Sequence, residues 1–354
     1  MSLTPAFRSA AIFVATILTL ASCAAPPVVN SNNAVSNFCA RMVTNSGGLN
    51  DRSFNDASWQ GLQDAATQFS IGTDVLVSNS EVDLVPNVQQ AVDTGCGFVL
   101  TVGWELTAAT ADAAAAHPDV DFAIVDDVVD APNVKPIVFD TAQAAFLAGY
   151  LAAGVTKTAK VATFGGGNQP PVTLFMDGFV DGVAHYNEVH GTTVEVIGWD
   201  KAKQDGVFTG DFEDINKGLT VTQGLIAQGA DVILPVAGQV GEGAARAALD
   251  AGKVSIIWVD SDGYDALAPE YRPILLTSVL KNTGSAVVAI VKSSMDGTFS
   301  NSPYVGTLEN SGVDIAPYHD LASAVSVSLR AEIDQLRAAI IAGTIRVSSP
   351  STPK

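Results

Sequence analysis

The stretch Val43 to Gly61, VTNSGGLNDRSFNDASWQG, sets two glycines and a cluster of short polar side chains between an apolar run and a helix-like segment. Glycines let a backbone approach a bound molecule, and a helix beginning near Ser53 offers free N–H groups at its N-terminus. A phosphate loop would use such amides, but there is no G-x-G-x-x-G and no Lys-Ser/Thr pair after the glycines. What remains is Asn45, Asp51 and Asn55 as hydrogen-bonding groups around Phe54, whose ring either stacks on a flat ligand or packs inward as the first apolar residue of its helix. Other chemistries have little support. His117, His185, His190 and His319 are scattered, and no H-E-x-x-H, C-x-x-C or G-x-S-x-G occurs, so neither a metal centre nor a nucleophile elbow is expected. The glycines between Phe164 and Pro170 follow a strand and are read as relief of crowding rather than as a dinucleotide site. No cofactor is expected.

These groups need elements to hold them. Apolar or β-branched runs such as ARMVTN, DFAIVDDV, KVATFGGG, DVILPVAG and SIIWVDSDG alternate with helical patterns, which is the signature of βαβ units and parallel sheets. Most end in Asn, Asp, Gly or Ser. Strands apolar up to a polar terminus are covered on both faces and offer only their C-terminal ends to a ligand. Phe54, Ala57, Gly61, Leu62, Ala65 and Phe69 recur at helical spacing, and AAFLAGYLAAGV is apolar all round and therefore buried. The alternation restarts at KVATFGGG, so the fold class is α/β with two Rossmann-like doubly wound lobes joined by a hinge. The expected division is 37–140 plus 263–298 for lobe 1, 141–262 plus 299–346 for lobe 2, and a disordered tail at 347–354.

The N-terminus carries Arg8, an apolar run from Ala10 to Leu20, then Leu20-Ala21-Ser22-Cys23. The run is shorter than the roughly 20 residues of a membrane-spanning helix and is followed by small residues, so 1–22 reads as a secretory signal peptide. Small residues ahead of Cys23 resemble the bacterial lipobox, which makes Cys23 the expected lipidation site and 23–36, rich in Pro, Asn and Ser, a flexible tether. Export would keep disulfides oxidised. Cys39 and Cys96 each open a strand-like run, and in a sheet of order 2-1-3 those strands are neighbours that begin at the same edge, so a bridge is reasonable beside the alternative of two buried free thiols. Net charge is −19, from 37 acids against 18 bases, with no basic cluster. Such a field repels nucleic acid and highly charged anions and suits a neutral or cationic small ligand.

The Val43 to Gly61 stretch resembles the signature V-S/T-D-x-G-G-x-x-D-K/R-S-F-N-x-x-x-x-x-G of the basic membrane protein family, the PnrA-like nucleoside-binding lipoproteins of ABC importers. Further blocks match in chain order: TVGW, DFAIVDD, FLAGYLAAGVTKTAKVATFGGG, FMDGFVDGV, GDFEDINKG, GADVILPVAGQVGEGA, WVDSD and LLTSVLKN. The resemblance implies a type I periplasmic binding protein fold and a non-enzymatic role. It implies base-stacking rings at Phe54 and Phe212, a hydrogen-bonding ligand contact at Asp126, and ribose contacts at Gly238, Asp260 and Lys281, which join Asn45 and Asn55, read from the loop itself, as the expected ligand-binding residues. A carboxylate can accept from both vicinal hydroxyls, and a lysine can donate to sugar oxygens. Asp126 and Asp260 also suit helix caps, and Lys281 a solvated side chain. Two departures stand out: Asn45 replaces the family's usual acid, and Gln143 replaces a Glu of many relatives near the hinge.

The resulting expectation is a lipid-anchored protein on the extracytoplasmic face of the cell membrane. It would capture a nucleoside, with a purine preferred, and pass it to ABC permease and ATPase subunits. A sugar or other polar-metabolite binder of the same fold, a nucleoside-cleaving enzyme and a surface sensor or adhesin are the competing readings.

Overall fold

The structure, a computed structural model, describes residues 38–353. The expected signal peptide, Cys23 and the tether lie outside the described residues. The strands are β1 (Cys39–Thr44), β2 (Gly72–Leu76), β3 (Phe98–Val102), β4 (Asp121–Val125), β5 (Val134–Phe139), β6 (Lys160–Gly165), β7 (Glu195–Ile197), β8 (Trp199–Asp200), β9 (Asp205–Gly206), β10 (Val232–Val236), β11 (Ser255–Asp260), β12 (Leu275–Lys281), β13 (Tyr304–Gly306) and β14 (Val313–Ile315). The α-helices are α1 (Phe54–Phe69), α2 (Glu81–Asp93), α3 (Thr107–Ala116), α4 (Thr141–Val155), α5 (Pro170–His190), α6 (Ile215–Ala227), α7 (Val240–Ala251), α8 (Gly263–Ala266), α9 (Thr283–Met295) and α10 (Val327–Ile341).

Two six-stranded sheets result, ordered β13-β5-β4-β3-β1-β2 and β14-β12-β11-β10-β6-β7. Within them every pairing is parallel except β12 with β14. The centres β3 and β10 are buried throughout, FVLTV and VILPV, because helices cover both faces of each sheet. The C-terminal ends are then the exposed ends, and those of β1, β3, β4, β10, β11 and β12 converge on one cleft.

The lobe boundaries differ from the expected ones. β12, assigned to the first lobe, pairs with β11 in the second sheet, and β13, assigned to the second, pairs with β5 in the first. A short apolar strand carries no mark of the sheet it joins. The crossings fall instead at Asp140, at Asn282 and in the 307–312 segment, where the chain passes from one sheet to the elements of the other. The tail also differs. Ser349 Oγ donates to Asp177 Oδ2 at 2.6 Å, Ser351 and Thr173 hydroxyls meet at 2.9 Å, and Lys201 Nζ donates to Ser348 O at 2.6 Å. Asp177 is fully buried and draws donors from Trp199, Gln204 and the tail, a set of contacts that leaves no periodic trace in VSSPSTPK.

α4 is buried over nearly its whole surface and crosses α5 at backbone contact. A Cβ on Gly182 would lie 2.0 Å from Phe146 O, and one on Gly149 2.1 Å from Phe179 O, so only glycine permits that crossing. Cys39 and Cys96 are joined, Cα to Cα 4.9 Å, just before paired residues Ala40 and Phe98, at the N-terminal ends of these inner strands and so away from the cleft. Among the described residues no helix is long and apolar enough to cross a membrane.

Candidate functional site

The loop after β1 is organised by Asp51. Its carboxylate accepts from the backbone N–H of Ser53, Asn55 and Asp56 at 3.1, 2.8 and 3.1 Å, so it caps α1 where the Ser53 side chain makes no cap bond. Burial pushes this carboxyl up to about 6 against those three N–H groups. Asn55, the second residue of α1, donates to Asp51 Oδ2 at 3.1 Å and to Asn45 Oδ1 at 2.8 Å, which ties the helix start to the end of β1. The first residue of α1, Phe54, is half-buried against the core and lines the cleft.

The facing lobe presents a second ring. Asp211 accepts from Glu213 N at 3.0 Å and Asp214 N at 2.8 Å, shaping the turn that carries Phe212 toward α6. Phe212 lies on the backbone after β6: a Cβ on Gly166 would stand 2.4 Å from the ring. The glycine run there clears space for an aromatic rather than cradling a phosphate. Gly238, at φ 52°, follows β10 and faces the same ring, with its Cβ position 3.7 Å from Phe212 Cβ.

The charged set sits at three strand ends. Asp126 follows β4 at φ 67° and Asp260 ends β11 at φ 66°, corresponding positions of the two sheets in a conformation that Asp tolerates better than most residues. Neither caps a helix; α8 is capped by Asp262, which accepts from Tyr264 N at 3.1 Å. Lys281, the last residue of β12 and 4 % exposed, donates to Asp126 Oδ2 and lies 4.0 Å from Asp260 Oδ1. Its ammonium stands 4.6 Å from the Phe54 ring centre. Burial pushes the Asp126 carboxyl up, and the Lys281 charge pulls it back. Ser53 Oγ donates to Asp260 Oδ2 at 2.7 Å, and Arg52 reaches Glu242 at 2.8 Å and Ala266 O at 3.2 Å, so the lobes are clasped across the cleft.

Asn45, Phe54, Asn55, Asp126, Phe212, Gly238, Asp260 and Lys281 thus line a single cavity. Residues 39–350 match the profile of a family described as ABC transporter substrate-binding protein PnrA-like. The chain belongs to this family. The ABC transporter nucleoside-binding protein BmpA of Lactococcus lactis is 31% identical over 358 residues, covering 96% of this chain and 97% of that protein. The CD4+ T-cell-stimulating antigen of Listeria monocytogenes is 30% identical over 328 residues, 88% of each. In fold, an ABC transporter solute-binding protein of Aeropyrum pernix superposes with TM-score 0.78 at 21% identity, over 88% of this chain and 94% of that one.

The PnrA-like chain also carries cleft residues that sequence reasoning did not single out. Glu105 and Trp104 follow β3 and line the cavity beside Asp51, which the sequence already offered as a hydrogen-bonding group. Only the position of Glu105 just after an apolar strand could have drawn attention to it. The departure at Gln143 has a local reason. Its Nε2 donates to Asp140 Oδ2 at 2.8 Å and its Oε1 accepts from Leu308 N at 2.9 Å, so both ends of the amide bond two of the lobe crossings together. A carboxylate could not donate to Asp140. Among the described residues no cluster of His, Cys, Asp and Glu could hold a metal ion.

Proposed function

We propose that this substrate-binding protein takes a nucleoside, with a purine preferred, in the cleft between its lobes. The observation that carries the reading is the pairing of Phe54 from one lobe with Phe212 from the other on one cavity that also holds Asp126, Asp260 and Lys281. A base between the rings gains burial plus about 0.5–1.5 kcal/mol per stacked pair. The carboxylates accept from ribose hydroxyls, and Lys281 donates to a sugar oxygen while balancing their charge. Because Phe54 and Asp126 belong to one lobe and Phe212, Asp260 and Lys281 to the other, a bound nucleoside favours the closed arrangement, and an ABC permease would recognise that state. Diacylglycerol on Cys23 would hold the protein at the extracytoplasmic membrane face. The name of the Lactococcus relative supports the nucleoside reading.

Titration calorimetry of ligand-stripped protein with inosine, guanosine, adenosine, cytidine and ribose tests it. Purine nucleosides binding well above ribose is the expected result. Silence with every nucleoside, or ribose as tight as inosine, rejects it. Release of free base during the titration would point to hydrolysis instead.

A further inference from the structure

The hydrogen bonds of the first-lobe wall can be followed group by group. Asp51 is filled by Ser53, Asp56 and Asn55. Asn55 commits both side-chain N–H groups, to Asn45 Oδ1 and to Asp51. Asn45 Oδ1 accepts also from Gly47 N at 3.1 Å, and its amide nitrogen points to Glu105 Oε1 at 3.4 Å. What the network leaves over is acceptors: Asn55 Oδ1 and Glu105 Oε2 are both shut off from solvent and neither has a partner. Both residues line the cleft. Gly103 makes the placement possible, since a Cβ there would stand 2.6 Å from Glu105 Oε2 and 3.1 Å from the Asn45 side chain.

Buried acceptors without donors are costly, so a ligand that supplies N–H groups would complete this wall. Resting on the nucleoside reading above, we infer that this wall selects a base edge carrying two adjacent N–H donors, with Glu105 as the specificity-determining acceptor. Position 45 is an amide here, and Glu105, just after β3, sets a carboxylate beside it. Among common bases guanine presents such an edge, through N1–H and the 2-amino group. Hypoxanthine has N1–H beside a C–H. Adenine and cytosine set an acceptor nitrogen next to their amino group, which would face the Glu105 oxygen lone pair to lone pair. Burial pushes the Glu105 carboxyl up, and two N–H donors on the ligand would favour its ionised form.

Calorimetry of the full mature protein, ligand-stripped, with guanosine, inosine, adenosine and cytidine reads this directly, on wild type, Glu105→Gln and Glu105→Ala. A site built to satisfy a donor rejects the analogue lacking it, so wild type should bind guanosine about tenfold or more tighter than inosine. Glu105→Gln and Glu105→Ala should bring that ratio to about 1–3 through loss of guanosine affinity. Thermal melting of each variant reports folding, and the wild-type ranking stands as a test without them. Nucleosides bound with no guanosine preference, or a preference unchanged in a folded Glu105 variant, overturn the inference alone. Failure to bind any nucleoside overturns the nucleoside reading and this one with it.

Discussion

Lys281 at the end of β12 bonds Asp126 at the end of β4, and the two residues belong to different sheets. Their side chains are 3% and 10% exposed, so the pair is a buried ionic clasp of the two lobes. Removing one partner strands the other charge. Lys281→Met should destabilise the protein by about 3–5 kcal/mol, whereas adding Asp126→Asn, which removes the charge and keeps a residue suited to φ 67°, should recover much of that loss. On the proposed nucleoside reading neither form should bind nucleoside well, because the sugar contacts it assigns to the pair would be lost. Urea unfolding of the single and double variants checks the first part, and equal midpoints for wild type and Lys281→Met would refute it.

Phe212 is half-buried and stands outside regular structure, so truncation should touch the cleft and little else. Phe212→Ala should weaken nucleoside binding by about 1–3 kcal/mol through lost stacking and burial, with the melting temperature nearly unchanged. Calorimetry beside a thermal melt separates the two effects. Unaltered affinity would mean that the second ring does not face the base.

Much of this architecture is legible in the chain because its signals are local. DFAIVDD and WVDSD announce strands that end in acids, and the structure sets Asp126 and Asp260 at those ends. The two phenylalanines stand beside helix starts that Asp51 and Asp214 cap. What escaped is non-local. LLTSVLK reads equally well for either sheet, and the choice depends on which edge beside β11 is open. Glu105 looks like the first turn of a helix, and its role appears only when Asn45, sixty residues earlier by its hydrogen bond, meets it. The tail carries no periodicity because its hold is the buried Asp177 rather than an apolar face.

Asp51 sets a pH dependence. Its carboxyl ionises at about 6 in the folded protein against an ordinary 3.8, so the folded state carries the extra proton between those values. The stability this residue contributes is therefore full below 3.8 and lost as pH rises through about 6, a change of about 3 kcal/mol. Asp51→Asn does not titrate. The deficit of the variant relative to wild type should shrink from pH 4 to pH 7, which urea midpoints at several pH values would show. Parallel curves would contradict it.

Gln143 links two crossings through one amide, and Gln143→Glu tests what that amide does. The substitution keeps the acceptor for Leu308 N but sets a second carboxyl against Asp140, whose own carboxyl is already pushed up by burial. Two such groups in contact cannot both ionise readily, and the pair would retain a proton above the ordinary carboxylate range. A raised folded-state pKa contributes stability at low pH and loses it as pH rises. Gln143→Glu should therefore cost about 1–3 kcal/mol at pH 8 and markedly less at pH 5, where the shared proton restores an O–H donor between the two groups. Because the strain falls on the hinge, nucleoside affinity should weaken in parallel at the higher pH. Urea unfolding and calorimetry at both pH values measure the two consequences, and a stability difference independent of pH would show that the amide acts as a spacer instead of a donor.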